Sequence, residues 1–386
     1  MTSTASASEP SSAWEDADNP ASPAQAYKPF CEFTQFHRKC LWGVLLAILI
    51  AVTWVAFSEL AQNASQPGFD APFALSYFCT IWVIVFLPVY MIMVNVRGKK
   101  SPKDILRDGL RIFQGPDEFK RGPFAGKIAI FCLVWSVTIF TYIKALGLLA
   151  AADATALYAT NQSFVYMLSW IVLFEKFVAM RILAMIFSIT GIVLFAYVDG
   201  FGSQAMWGVV VAVAASAGIA TYKVLLKKLV GAATLGQISL FLTLIGTINT
   251  ACLWPVVLAL YYTGVEVIDW NQLPWQFICP TAALTVVYQI LINYVAVLTY
   301  PLFTGLGLAM AIPICAVADS VWKGREFLGM KIAALVLICI GLLLILLPEN
   351  WHVVILKPFR VKQQRRDTEQ PVGETLRSRL HRTTYM

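Results

Sequence analysis

Residues 177–194 read Phe-Val-Ala-Met-Arg-Ile-Leu-Ala-Met-Ile-Phe-Ser-Ile-Thr-Gly-Ile-Val-Leu. At an offset of 150, residues 327–344 read Phe-Leu-Gly-Met-Lys-Ile-Ala-Ala-Leu-Val-Leu-Ile-Cys-Ile-Gly-Leu-Leu-Leu. Apolar matches are cheap in so hydrophobic a chain. The coincidences that count are Phe177 with Phe327, Met180 with Met330, Arg181 with Lys331 and Gly191 with Gly341, because a charge and a glycine fall in register. A second echo supports the first. Residues 41–47, Leu-Trp-Gly-Val-Leu-Leu-Ala, return as 206–212, Met-Trp-Gly-Val-Val-Val-Ala, at an offset of 165. The first copy therefore holds about 15 extra residues between the echoes. The polar segment 97–126 can supply them, since its counterpart near 263–274 is much shorter. Repeats of this kind in an apolar chain suggest a transporter built from two halves.

The composition sets the solvent. Of 386 residues, 59% are hydrophobic and 13% charged, where a soluble domain carries about 25% charged. The chain reads as an all-α membrane protein. Spans near the ~20 residues a bilayer requires fall at 40–60, 73–96, 127–148, 154–175, 179–198, 205–224, 236–262, 276–299, 302–322 and 328–347, ten in all. The first 30 residues are polar and rich in Ser, Ala and Pro, with no apolar core, so the first span is expected to serve as the targeting signal.

Charge sets the orientation. With the N-terminus inside, 25 of the 29 Lys and Arg fall on the cytosolic side; Lys144, Lys323, Arg325 and Lys331 are the exceptions. Both termini are thus expected in the cytosol. The same distribution argues against a nucleic-acid partner for the net charge of +7. Five spans per half is an odd number, so the second half enters the membrane from the other side, and the repeats are expected to be inverted. The domains follow: a disordered cytosolic tail at 1–39, a first five-helix repeat at 40–198, a second at 199–348 and a basic disordered tail at 349–386. Within the loop 97–126, Ile105, Leu106, Leu110 and Phe113 share a helical face, as in a short helix lying on the inner leaflet.

Six cysteines (Cys79, Cys132, Cys252, Cys279, Cys315 and Cys339) lie in apolar runs and read as small buried hydrophobes, with no metal-ligand spacing. Asn63-Ala-Ser is a glycosylation sequon in the first outer loop.

A recognisable phrase follows in the fourth span: Thr155-Ala-Leu-Tyr-Ala-Thr-Asn-Gln-Ser-Phe-Val-Tyr-Met-Leu-Ser-Trp-Ile-Val-Leu. Then come Tyr197-Val-Asp-Gly-Phe, Tyr222-Lys-Val-Leu, Val297-Leu-Thr-Tyr-Pro, Ile312-Pro with Asp319, and Leu346-Leu-Pro-Glu-Asn-Trp. Together these resemble the drug/metabolite (EamA-like) transporter superfamily, and within it the F-type branch of solute carrier family 35, which includes putative thiamine transporters. The resemblance covers most of 40–351. It implies ten helices in two inverted five-helix repeats, helices 3, 4, 8 and 9 at the centre, and alternating access. In that branch a basic residue often follows the helix 4 asparagine. Gln162 stands there instead, which makes the cavity less positive.

Polar groups inside a membrane are costly, so each asks for a partner or a task. Asn161 and Gln162 lie about 12–14 Å below the start of helix 4, near the midplane; they could bind a heterocycle or join two helices. Trp135, Thr138 and Tyr142 share a face of helix 3. Tyr288, Asn293 and Tyr294 lie on helix 8. These aromatics could stack a flat ring or hold a cation, or simply pack. Glu59 and Asp319, near the outer ends of helices 1 and 9, would suit the entrance of a cationic substrate or carry a proton, with Lys144 available to neutralise one. Pro313 is expected to interrupt helix 9.

The function expected is secondary-active or facilitative transport of a small organic solute, with thiamine or a thiamine-like cation favoured. A nucleotide sugar or nucleoside is the alternative substrate. A non-transporting membrane interaction protein is the alternative class. The three histidines lie outside the spans and no Walker sequence is present, so neither an enzyme, a cofactor nor a metal is expected. The plasma membrane and Golgi or endosomal membranes all fit, and homo-oligomerisation is left open.

Overall fold

The computed structural model describes residues 23–66, 68–96, 106–107, 121–175, 178–198, 200, 202–230, 234–298, 302–324 and 329–347. Nine helical stretches among them are long and apolar enough to cross a bilayer. The first is α1 (Pro23–Ala64), which begins well before position 40. The second joins α2 (Pro72–Ile81) to α3 (Phe86–Val96) through a single 3-10 turn. The others are α4 (Arg121–Leu148), α7 (Ala179–Val198), α8 (Gln204–Val230), α9 (Leu235–Tyr262), α10 (Trp275–Leu298), α11 (Leu302–Lys323) and α12 (Gly329–Leu346). Chain not in helix includes a two-stranded antiparallel ribbon, β1 (Phe69–Asp70) with β2 (Val267–Ile268), pairing Phe69 with Ile268. It marks one end of the bundle, called here the ribbon end.

The span expected at 154–175 is not one helix. It is α5 (Ala151–Ala159) stacked on α6 (Asn161–Leu173), jointed at Thr160. The cause is local. The Thr160 hydroxyl donates to the Leu157 carbonyl at 2.6 Å, and the Asn161 amide donates to the Tyr158 carbonyl at 2.7 Å. Side chains thus take the carbonyls that the next turn's N–H groups would use.

The repeated stretches meet each other. α7 packs on α12, and the contact is reciprocal. A Cβ on Gly191 would fall against Ala334 and Ile338; one on Gly341 would fall against Ala184 and Ser188. Adding 150 carries Ala184 and Ser188 to Ala334 and Ile338, and Gly191 to Gly341, so the two contacts are one contact with the partners exchanged. The helix ends agree too. Phe174 after α6 and Gly324 after α11, also 150 apart, both adopt left-handed backbone, φ 52° and 60°. Phe174 is the one non-glycine there among the described residues. Elsewhere α1 packs on α10 and α11, while α8 packs on α4, α5 and α6, the same arrangement with the two echoes exchanged.

Three expectations need correction or lie out of reach. Pro313 sits inside an unbroken α11. Cys252 and Cys279 are exposed on helix flanks, whereas Cys79, Cys132 and Cys315 are buried. Of the amphipathic segment only Leu106 and Arg107 are described, as exposed helical residues; the rest of it, with 1–22 and 348–386, lies outside the described residues.

Candidate functional site

At the centre of the bundle α1 brings Trp54 against three tyrosines from three other helices. Its ring centroid lies 5.0 Å from Tyr142 on α4, 4.7 Å from Tyr158 on α5 and 4.8 Å from Tyr288 on α10. Phe57 closes the group at 5.5 Å. The Tyr142 hydroxyl lies 2.8 Å from that of Ser58 and 3.4 Å from that of Thr155. Every ring is buried. The Trp54 indole N–H is also buried, with no acceptor among the described residues. A buried donor without an acceptor costs about 1–3 kcal/mol. Of these residues, sequence reasoning singled out Tyr142 and Tyr288. It missed Trp54, Phe57 and Tyr158; an aromatic pair at Trp54 and Phe57, one helical turn apart, was the available signal.

Trp135 does not join this group. It packs with Phe131, Tyr222 and Phe241 where α4 meets α8 and α9, so the face it was expected to share with Tyr142 is divided between two clusters. Asn293 donates to the Gln289 carbonyl of its own helix at 2.7 Å, and Tyr294 is half-buried beside it.

Asn161 has no exposed surface. Its oxygen accepts a 2.8 Å bond from the Lys223 ammonium, tying α6 to α8. Gln162, one residue on, faces a cleft of about 360 Å³ at the end of the bundle opposite the ribbon. Lys223, Lys227, Arg181, Glu175 and Tyr166 also line it. Lys227 pairs with Glu175, and the Arg181 guanidinium lies 5.3 Å from the centre of the Tyr166 ring.

Glu59 and Asp319 do come together, through a residue that was read only as an exception to the charge rule. The Lys323 ammonium lies 2.5 Å from Glu59 Oε2 and 3.0 Å from Asp319 Oδ1, and donates to Gln62 Oε1 at 2.5 Å. Gln62 in turn donates to the Leu146 and Leu149 carbonyls. Asp319 Oδ2 accepts the Ala152 N–H at 2.8 Å, satisfying an orphan donor at the α5 N-terminus. Glu59, Cys315 and Asp319 place an oxygen, a sulfur and an oxygen within 4.8 Å of one another, a spacing able to grip a metal ion. The Lys323 ammonium already supplies the positive charge there. Lys331 pairs with Asp153 at 3.1 Å.

Lys144 lies by neither carboxylate. Its electrostatic neighbour is Glu266 in the loop after α9. Glu266 accepts the Phe73 and Ala74 N–H groups at 2.6 and 3.1 Å, capping α2. Burial pushes its carboxyl above the usual carboxylate range, and these N–H groups and Lys144 hold it back. Asn63 is exposed in the last turn of α1, at the ribbon end.

The family model described as "EamA-like transporter family" matches residues 41–197. Solute carrier family 35 member F3 of Mus musculus is 34% identical over 355 residues, 89% of this chain and 83% of the relative. Member F4 of Homo sapiens is 35% identical over 353 residues, 90% of this chain and 67% of the relative. At greater distance, the thiamine-repressible mitochondrial transport protein THI74 of Saccharomyces cerevisiae is 26% identical over 341 residues, 78% of this chain and 90% of the relative.

Proposed function

The chain belongs to the F branch of solute carrier family 35, within the drug/metabolite transporter superfamily, and we propose that it carries a small organic cation through the membrane by alternating access. Two inverted five-helix repeats supply the machinery. The reciprocal packing of Gly191 and Gly341, and the matched left-handed caps at Phe174 and Gly324, support that symmetry. The jointed pair α5–α6 makes the tenth crossing. The ribbon end faces outward and both termini face the cytosol, as the lysines and arginines require.

The aromatic group around Trp54 carries the substrate reading. Separating α1 from α4, α5 and α10 would uncover four ring faces and an unused indole donor. Ring faces hold a desolvated cation by about 2 kcal/mol or more each, and stack a flat heterocycle. Glu59 and Asp319 lie one to two helical turns beyond, at the outward end, where a cation would enter. A thiamine-like solute has both features, a cationic ring and a flat one. THI74 adds only that a relative's name records thiamine repression and transport.

A second reading has its own observation. Lys223, Lys227 and Arg181 meet in one cleft, although they are scattered along the sequence. A phosphate group would suit that mouth, as in a nucleotide sugar.

Uptake into proteoliposomes, with labelled thiamine and a labelled nucleotide sugar tested separately and with or without a pH gradient, decides between them. Saturable thiamine flux is the expected result. Flux of the nucleotide sugar alone would move the site to the cleft. Flux of neither, with other organic cations equally inert, would favour the non-transporting class.

Asn161→Ala bears on both readings. The variant is expected to insert normally and to lose about 1 kcal/mol of stability, since Lys223 forfeits a charge-assisted partner but keeps access to the cleft. Solute binding should weaken, because the α6–α8 tie sets the width of the cleft. Unchanged affinity in the purified variant would remove the α5–α6 pair from the binding path.

A further inference from the structure

The two ends of the bundle are closed by different means. At the ribbon end, Lys323 of α11 is held by Glu59 and Gln62 of α1 and by Asp319 of its own helix. Gln62 and Asp319 extend the network to α4 and α5. Glu59 and Asp319 are almost wholly buried. At the cleft end, the repeat offset of 165 carries Gln62 to Lys227, and the offset of 150 carries the α11 terminus to the α6 terminus. There Lys227 pairs with Glu175, two residues past that terminus. The pairing thus recurs with the charges exchanged: a helix-terminal cation meets acidic α1, and a helix-terminal carboxylate meets basic α8. But the Lys227 side chain is 60% exposed and that of Lys323 only 20%. An exposed pair adds little to stability because water screens it, and it stands beside an open cleft. The buried one strongly resists separation of its partners.

We propose that Lys323 is the latch of an outward gate, and that α1 and α11 part at the ribbon end only when its ammonium leaves Glu59. The proposal rests on the transporter reading above. Cys315 reports on it directly. The thiol is fully buried, 3.8 Å from Glu59 Oε1 and 3.9 Å from the Thr155 hydroxyl. It lies eight residues below the α11 terminus, about 12 Å inside the bundle. Cys79 on α2 is its control. It is equally buried, and seven residues from the α2 start set it about 10 Å below the same end, but it touches no member of the latch network among the described residues.

Two single-cysteine proteins, one keeping Cys315 and one keeping Cys79, would be labelled in lipid nanodiscs with a bulky membrane-impermeant maleimide. Among the described residues, Glu59→Gln removes the one ion pair between Lys323 and α1 and leaves only the Gln62 hydrogen bond there, without stranding a charge, because Asp319 still pairs with Lys323. We expect Glu59→Gln to raise the Cys315 labelling rate at least tenfold and to leave Cys79 unchanged. Unchanged Cys315 labelling would overturn the latch. An equal rise at both cysteines would also overturn it, since that is general loosening. Labelling needs no solute, so the two ideas fail separately: a latch that opens in a protein moving nothing sinks the transport reading alone, while solute flux with Cys315 protected in both proteins sinks the latch alone.

Discussion

Lys323→Met will lower the stability of the protein by about 3 kcal/mol, toward the lower end of the range for breaking a buried ion pair. Lys323 is itself one-fifth exposed, so water softens the loss. What remains is severe because two carboxylates, Glu59 and Asp319, are stranded in a membrane-embedded interior. They must then take up protons or draw in water. In purified protein the apparent melting temperature should fall by several degrees, and insertion yield with it. The source of the loss can be isolated. Adding Glu59→Gln and Asp319→Asn to Lys323→Met removes the stranded charges and should recover most of the stability, although each of the three positions has then been changed. Lys227→Met, which breaks the exposed pair with Glu175, should cost under about 1 kcal/mol. If Lys323→Met melts with wild type, the carboxylates are hydrated and the network at the ribbon end is not the closed structure described.

The same network shows where the sequence is legible and where it is not. The repeat at 177–194 and 327–344 was legible, because small and charged residues in register survive where apolar ones are interchangeable. Its physical content, two helices pressed together at Gly191 and Gly341, is what the structure adds. Charge counting placed Lys323 and Lys331 on the sparsely charged side as exceptions. Neither is a stray cation: each neutralises a carboxylate from another helix, Lys323 with Glu59 and Lys331 with Asp153. Such partners are 264 and 178 residues apart along the chain, far beyond any local pattern. The joint at Thr160 was equally hidden. The polar run Thr160-Asn-Gln-Ser interrupts the apolar stretch at 154–175, but polar residues alone do not end a helix; the hydroxyl and amide bonds back to Leu157 and Tyr158 do. The aromatic group around Trp54 was half legible. Helical spacing relates residues on one helix, but the group draws on four, so the sequence could offer Tyr142 and Tyr288 as candidates and could not tell that Trp135 belongs elsewhere.

Gly341→Leu will separate α7 from α12. Within a bilayer the lipid tails are as apolar as leucine, so helices associate through close packing and hydrogen bonds, and small residues that admit close backbone approach decide the contact. A Cβ at Gly341 would lie 2.6 Å from Ser188 Oγ, 2.8 Å from the Ala184 carbonyl oxygen and 3.1 Å from the Ser188 backbone nitrogen. Two of those three atoms are backbone and cannot rotate away. Gly191→Leu meets a softer obstacle, since the nearest atom, at 2.5 Å, is Cγ1 of the Ile338 side chain. Overpacking costs about 1–3 kcal/mol, or more where the backbone must shift, so Gly341→Leu should exceed Gly191→Leu. The Ser163–Ser188 bond at 2.8 Å, which ties α6 to α7, is lost with the shift. Shortening the opposing side chain distinguishes the two sites: Ile338→Ala should rescue most of Gly191→Leu, while Ser188→Gly should rescue Gly341→Leu only in part, because the Ala184 carbonyl stays in place. Gly147→Leu, with nothing within 4 Å of its Cβ position, is the neutral control. Melting temperature and reconstituted flux both read the outcome. If Gly341→Leu is as stable and active as wild type, the repeated stretches do not face each other, and the two-fold relation drawn from their reciprocal contact falls with them.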